Sequence, residues 1–206
     1  LSEISNYTYL EPTKITPYID TLRNMGIVRR EIPILAPKKS RRGIYIISDF
    51  YFLFWFRFVS PYYEEIENQD PKNAINDFEK NFETYIGTPF EIYVRRVLRD
   101  ILANMGHQIT KLGKWWHKDI DIDIVGIDDR AKEVIFGEVK WGELTQKDVY
   151  RIAAKLEEKS KRFPYKKTYT KKYCIVAREF QETPKDKDII TIDMKKIVTS
   201  TAKRHQ

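Results

Sequence analysis

The stretch that most constrains this chain is Asp119-Ile120-Asp121-Ile122-Asp123-Ile124-Val125-Gly126, where aspartate and isoleucine alternate. A helix would scatter these carboxylates around its circumference. A strand puts Asp119, Asp121 and Asp123 on one face and the isoleucines on the other. Gly137-Glu138-Val139-Lys140-Trp141 continues the theme after Asp128-Asp129-Arg130, a polar run that reads as a hairpin turn. A turn centred between Arg130 and Ala131 sets Asp123 directly across from Glu138. Centred one residue earlier, it sets Asp121 there and makes Asp123 the diagonal neighbour. In both registers Glu138 and Lys140 share the aspartates' face.

Like charges facing each other across a sheet repel, so this face calls for a cation. Oxygen donors alone point to Mg²⁺ or Mn²⁺ rather than zinc. A divalent ion there would hold a scissile phosphate and acidify an attacking water, while Lys140 would orient that water or neutralise developing charge. The plain alternative is the solvated face of an amphipathic hairpin, with Lys140 paired to a carboxylate.

The surrounding pattern predicts an α/β (α+β) domain. Thr88-Pro89-Phe90-Glu91 has the form of a helix start, with Thr88 as cap, Pro89 first in the helix and Glu91 closing a capping box. The helix carries Val94, Val97, Leu98, Ile101 and Leu102 to Gly106. Extended segments follow at 107–111, 119–127, 134–140, 173–177 and 189–192, with a helix over 146–161 between the third and fourth. A meander and then a helical crossover imply a mixed sheet flanked by helices.

Ahead of this domain, residues 1–48 read as a helical unit and two strands. Ser2–Tyr7 ends a short helix. A second helix aligns Ile15, Ile19, Leu22 and Met25, holds Pro17 in its first turn and stops at Gly26. Stretches 27–35 and 43–48 are joined by Ala36-Pro37-Lys38-Lys39-Ser40-Arg41-Arg42. Two helices and then a basic two-stranded loop is the order of a winged helix-turn-helix. Residues 49–77 form a connector whose aromatic run Phe50–Phe56 should be buried between neighbours, with Pro61 stopping it. The second domain then covers 78–206.

The charge of +7 is local. Residues 1–70 balance nine basic against nine acidic side chains, yet 29–42 holds six basics against Glu31 alone. Residues 151–172 hold nine basics against Glu157 and Glu158. Two such patches suggest a polyanion, with Arg29, Arg30, Lys38, Lys39, Arg41 and Arg42 as DNA contacts. Solvated lysine-rich surface explains them equally well. No long uncharged apolar window exists for a membrane span. A single cysteine, Cys174, leaves no internal disulfide and no multi-cysteine zinc site, as expected in the cytoplasm. Charged residues at 33% lean toward a thermophile. The chain opens on Leu, so it is read as a piece whose N-terminal part is absent.

Asp123, fourteen residues, then Glu138-Val139-Lys140 resembles the D…(D/E)-x-K motif of the restriction-endonuclease-like superfamily. Ile47-Ser48-Asp49, Phe54–Val59, Trp115-Trp116, Ile122–Gly126 and Phe136–Trp141 together resemble the C-terminal region of archaeal DEXX-box ATPases of the AAA+/STAND-like group. There a winged helix and a domain of unknown function with the nuclease-like motif follow an ATPase. The resemblance implies Asp123 and Glu138 as metal ligands, Lys140 as the catalytic lysine and Glu91 as an extra ligand, although a capping role would also account for Glu91. Ile122 stands where the motif usually has proline. No G-x-x-x-x-G-K-[ST] occurs, so ATP would be bound only by an N-terminal domain of the same protein. The implied function is a DNA-binding, metal-dependent nuclease module, and the alternative a vestigial DNA- or partner-binding regulatory module. Trp115, Trp116 and Trp141 would stack on bases or roof a core, His107 and His117 are structural or exposed, and Cys174 is an inert core residue.

Overall fold

The computed structural model describes residues 1–165 and 168–202, so Lys166 and Lys167 of the basic stretch lie outside the described residues. Two compact units divide at Tyr85/Ile86. The first holds Leu1–Ile32 and Ala36–Tyr85, and the second holds Pro33–Leu35 with the chain from Ile86 onward. Among the described residues no helix is long and apolar enough to cross a membrane.

In the first unit, helices α1 (Ser2–Thr8) and α2 (Pro12–Asn24) precede an antiparallel hairpin of β1 (Val28–Glu31) and β2 (Ile44–Ile47). Gly26 adopts a left-handed conformation (φ 76°) just past α2, as its position after the last apolar residue predicts. Pro17 does not lie in the first turn. Pro12 takes that place, where its missing N–H is harmless, and Pro17 sits inside α2 at the loss of one ladder bond.

The aromatic run is helical but not buried on all sides. It passes from α3 (Phe50–Phe54) through a π turn (Trp55–Val59) and a 3₁₀ turn (Ser60–Tyr62) into α4 (Tyr63–Glu67). Pro61 therefore changes the winding without stopping it. The π turn, in which the Ser60 N–H reaches the Trp55 carbonyl, has already widened the ladder where proline enters. Phe58 is buried against Phe78 and Tyr85 of α5 (Lys72–Tyr85), at ring separations of 5.3 and 5.0 Å. Tyr51 and Phe56 remain exposed, because α5 covers only the Phe58 side.

The second unit is a five-stranded mixed sheet in the order β3-β4-β5-β6-β7. Strands β3 (Lys111–His117), β4 (Ile120–Asp128) and β5 (Glu133–Leu144) form an antiparallel meander, and β6 (Thr170–Phe180) and β7 (Ile189–Ile192) add in parallel. The first of these strands is not at 107–111. Gly106 breaks the preceding helix, and pairing begins only at Lys111, so the tryptophans Trp115 and Trp116 lie in β3.

Alternation along β5 separates two cores. Ile135 and Val139 face α6 (Gly87–Asn104) and α8 (Met194–Ala202), while Val134 and Phe136 face α7 (Gln146–Ser160). Leu98, Leu102 and Leu156 are fully buried in these layers, each worth about 1.5–3 kcal/mol in apolar transfer. Cys174 lies wholly buried in β6, and burial pushes its thiol up to about 12, which leaves it inert.

Candidate active site

The turn between β4 and β5 settles the register. Asp128 Oδ1 accepts from the N–H groups of Arg130 (2.8 Å) and Ala131 (3.0 Å), and the ladder runs from Asp128↔Glu133 to Ile124↔Gly137. One step further, Asp123 faces Glu138, but no backbone pair forms there. The Val139 N–H instead donates to Asp123 Oδ2 at 3.2 Å. The strands part at this point, and a carboxylate takes over from the ladder.

A second irregularity aims a cation at the same gap. The β3–β4 register slips between Gly113 and Trp115, so that two residues of β4, Asp123 and Ile124, bulge opposite the single Lys114 of β3. The Lys114 carbonyl also accepts from the Ile34 N–H (2.8 Å). Across the slip, Ile122 packs into the α7 core and Ile124 into the α6 core, so the isoleucines do not share a face. Asp119 drops out of the strand into the exposed β3–β4 turn.

Lys114 Nζ lies 3.1 Å from Glu91, 3.3 Å from Asp123 and 3.4 Å from Asp121. Glu91 reaches this cluster from α6, and it is not a capping residue. The helix starts at Gly87 with Ile86 as its cap, so the Glu91 carboxylate is free to bond Arg95 and Lys114. Glu138 accepts from Lys140 Nζ at 2.7 Å and from Lys159 Nζ of α7 at 3.4 Å. Helices on opposite faces thus both reach the gap between β4 and β5.

Burial, reinforced by the Glu91 and Glu138 charges, raises the Asp123 carboxyl above its ordinary value despite Lys114 and the Val139 N–H. Burial also works against the Lys140 ammonium. The hydrogen bond and charge of Glu138, with Asp123 and Glu91 behind it, outweigh burial and raise Lys140. Lys140 therefore holds its proton and serves as a cation and donor, not as a base. Lys114 is raised in the same way, its burial outweighed by Glu91, Asp123 and Asp121.

The donors are oxygen alone, as a hard divalent ion requires. Among the described residues no three His, Cys, Asp or Glu side chains are gathered as a metal cluster. A pair is enough for Mg²⁺, which usually keeps several waters and takes one or two protein carboxylates plus substrate phosphate. Asp123 and Glu138 would fit that pair; Glu138 is bonded to Lys140 and Lys159, and Glu91 to Arg95 and Lys114.

In the first unit, Arg29 pairs with Glu31 at 2.6 Å. The Arg30 guanidinium donates to the carbonyls of Lys38 and Ser40, pinning the hairpin loop, and a Cβ at Gly43 would strike it. Lys38, Lys39, Arg41 and Arg42 are exposed. Trp115 is buried against Phe163, and Trp141 packs edge-on to Phe90. His107 bonds Glu133 (2.6 Å), and His117 stacks on Trp115.

Lys114 and Lys159 are the site residues that sequence reasoning missed. Lys114 becomes visible only with the bulge. Lys159 belonged to the basic stretch 151–172, but only the α7 crossover brings it to Glu138.

Comparison with known proteins supplies kinship without chemistry. No solved structure matches the chain. An uncharacterized protein of Methanocaldococcus jannaschii is 31% identical over 196 residues, which is 94% of this chain and 44% of that protein. The chain thus spans less than half the length of that curated relative. Residues 55–152 match the family model DUF234, described as "Archaea bacterial proteins of unknown function", a stretch that contains Glu91, Lys114, Asp121, Asp123, Glu138 and Lys140.

Proposed function

We propose that this chain is a DNA-binding, metal-dependent phosphodiesterase module of a longer archaeal ATPase. The observation that carries the reading is Asp123. A mostly buried aspartate, held by a backbone N–H where two strands separate, stands beside a glutamate and a protonated lysine. That arrangement accords with the nuclease-like motif in which Asp123 and Glu138 are ligands and Lys140 is catalytic.

Asp123 and Glu138 would hold Mg²⁺ or Mn²⁺, which supplies Lewis acidity toward a phosphate and an acidified water. Lys140, kept protonated by Glu138, donates toward the phosphate oxygens and offsets the charge that builds as the phosphorus–oxygen bond breaks. The Val139 N–H fixes the Asp123 carboxylate, so the ligand needs little reorganisation. In the first unit the order of two helices and a hairpin with a basic loop accords with a winged helix, and exposed Lys38, Lys39, Arg41 and Arg42 suit phosphate contacts. ATP binding would lie in another part of the longer protein.

One observation favours the vestigial alternative. The Lys114 ammonium already lies within 3.4 Å of Glu91, Asp121 and Asp123 and offsets part of their charge without a metal. Lys140→Ala separates the readings. Lys140 is about half exposed, so its pair with Glu138 is worth only ~0.2–1 kcal/mol and melting should stay near normal. Removing an interaction made in the transition state would cut Mn²⁺-dependent DNA cleavage ~100-fold or more. Absence of cleavage by the wild type, with its ATPase portion supplied, would leave the regulatory reading standing.

A further inference from the structure

The basic excess of residues 151–172 is only partly used by the site described above. Arg151, Lys155 and Lys159 follow one another at intervals of four along α7, so they form one row with a step of about 6 Å. This row lines a groove of about 570 Å³ whose other wall is the outer half of β5, from Glu138 to Leu144. Four basic side chains, the three of the row and Lys140, face it against the carboxylates of Glu138 and Glu143. The surplus is positive, and it is graded. Lys159 sits at the inner end, 3.4 Å from Glu138 and 4.0 Å from Asp121. Arg151 pairs locally with Asp148 at 2.7 Å but remains about two-thirds exposed. Lys155, midway, makes no ion pair among the described residues.

The groove is also rigid where it must be. Thr145 and Asp148 close a reciprocal capping box at the start of α7, and Val149 and Leu156 on its opposite side are fully buried. Its β5 wall slips against β6 between Lys140 and Glu143, where Trp141 and Gly142 stand opposite the single Arg178. A packed helix thus presents a regular row of cations that leads to the carboxylates of Glu138 and Asp121.

We propose that this α7–β5 groove is a binding track for the sugar–phosphate backbone of a single nucleic-acid strand. Arg151 and Lys155 hold successive phosphates, and Lys159 delivers the next one to Glu138 and Lys140. The identity of the polymer rests on the phosphodiester reading of the neighbouring carboxylates, whereas the track itself rests on the row and the groove. It is independent of the basic hairpin loop in the first unit.

The test is fluorescence anisotropy of the chain with a labelled single-stranded oligonucleotide in EDTA, where no cleavage occurs. The double variant Arg151→Glu/Lys155→Glu should bind at least about tenfold more weakly than the wild type. Its log–log salt dependence should be shallower by ~0.7 for each phosphate the variant no longer neutralises. Circular dichroism checks that the variant is folded, and the milder Arg151→Gln/Lys155→Gln replaces it if it is not. Unchanged affinity and salt slope in the folded variant would overturn the track, and so would a wild type that binds no strand. Polyglutamate competing as well as DNA at equal charge would overturn it in favour of an acidic protein segment. Weakened binding with no cleavage by the wild type in Mn²⁺ would leave the track standing and remove the nuclease reading. Cleavage with unweakened binding would do the reverse.

Discussion

Among single residues, Asp123 combines a central place in the candidate site with an energetic cost. A buried acid with a raised pKa is disfavoured in its charged form, so its contribution to stability is present at low pH and lost as pH rises through the folded-state value. Asparagine keeps an acceptor for the Val139 N–H and removes the charge. In EDTA, Asp123→Asn should therefore melt above the wild type at pH 7. The gap should close as pH falls toward the ordinary carboxylate range, where Asp123 itself becomes neutral. Melting curves across pH decide this, and a lower melting temperature for the variant at pH 7 would show that the Lys114 pairing outweighs burial. Gly137 is the second sensitive residue. A Cβ there would lie 2.9 Å from the Cys174 carbonyl oxygen of the neighbouring strand, so backbone must move. Gly137→Ala should be destabilising by ~1–3 kcal/mol in urea unfolding. It should also disturb Glu138, the next residue. An unchanged midpoint would mean that β5 and β6 separate more easily than the packing implies.

At the scale of elements, what could be read from sequence was whatever local chemistry decides. The strand over 120–128 follows from its alternation, its turn from Asp128 and its neighbours, and α7 from its apolar spacing between Thr145 and Ser160. Glycine at 26 and at 106 ends a helix in each unit, both with positive φ. What escaped was decided by partners far along the chain. The slip beside Lys114 depends on how β3 lies against β4 and on the Ile34 N–H, so neither that lysine nor the face change between Ile122 and Ile124 has a local signature. Thr88-Pro89 carries every mark of a helix start, yet the helix begins at Gly87, two residues before Pro89. Pairing with Arg95 and Lys114 accounts for Glu91 without a cap. Pro17 and Pro61 mislead in the same way. One is tolerated inside a helix that already starts on Pro12, and the other falls where a π turn has loosened the ladder.

Across the whole molecule, each unit concentrates cations by different means. The first does so with a loop pinned by Arg30, the second with a helix row ending at carboxylates. The stretch shared with the family of unknown function, 55–152, holds every carboxylate of the candidate site but ends before Lys155 and Lys159. Calorimetric titration of the chain with Mn²⁺ decides whether Asp123 and Glu138 make a site for a divalent ion. The wild type should bind the metal saturably at micromolar to millimolar concentration. That binding should be lost in Asp123→Ala and in Glu138→Ala and retained in Arg151→Glu/Lys155→Glu. A wild type that takes up no Mn²⁺ at millimolar concentration, or one whose binding survives both alanine variants, would contradict such a site.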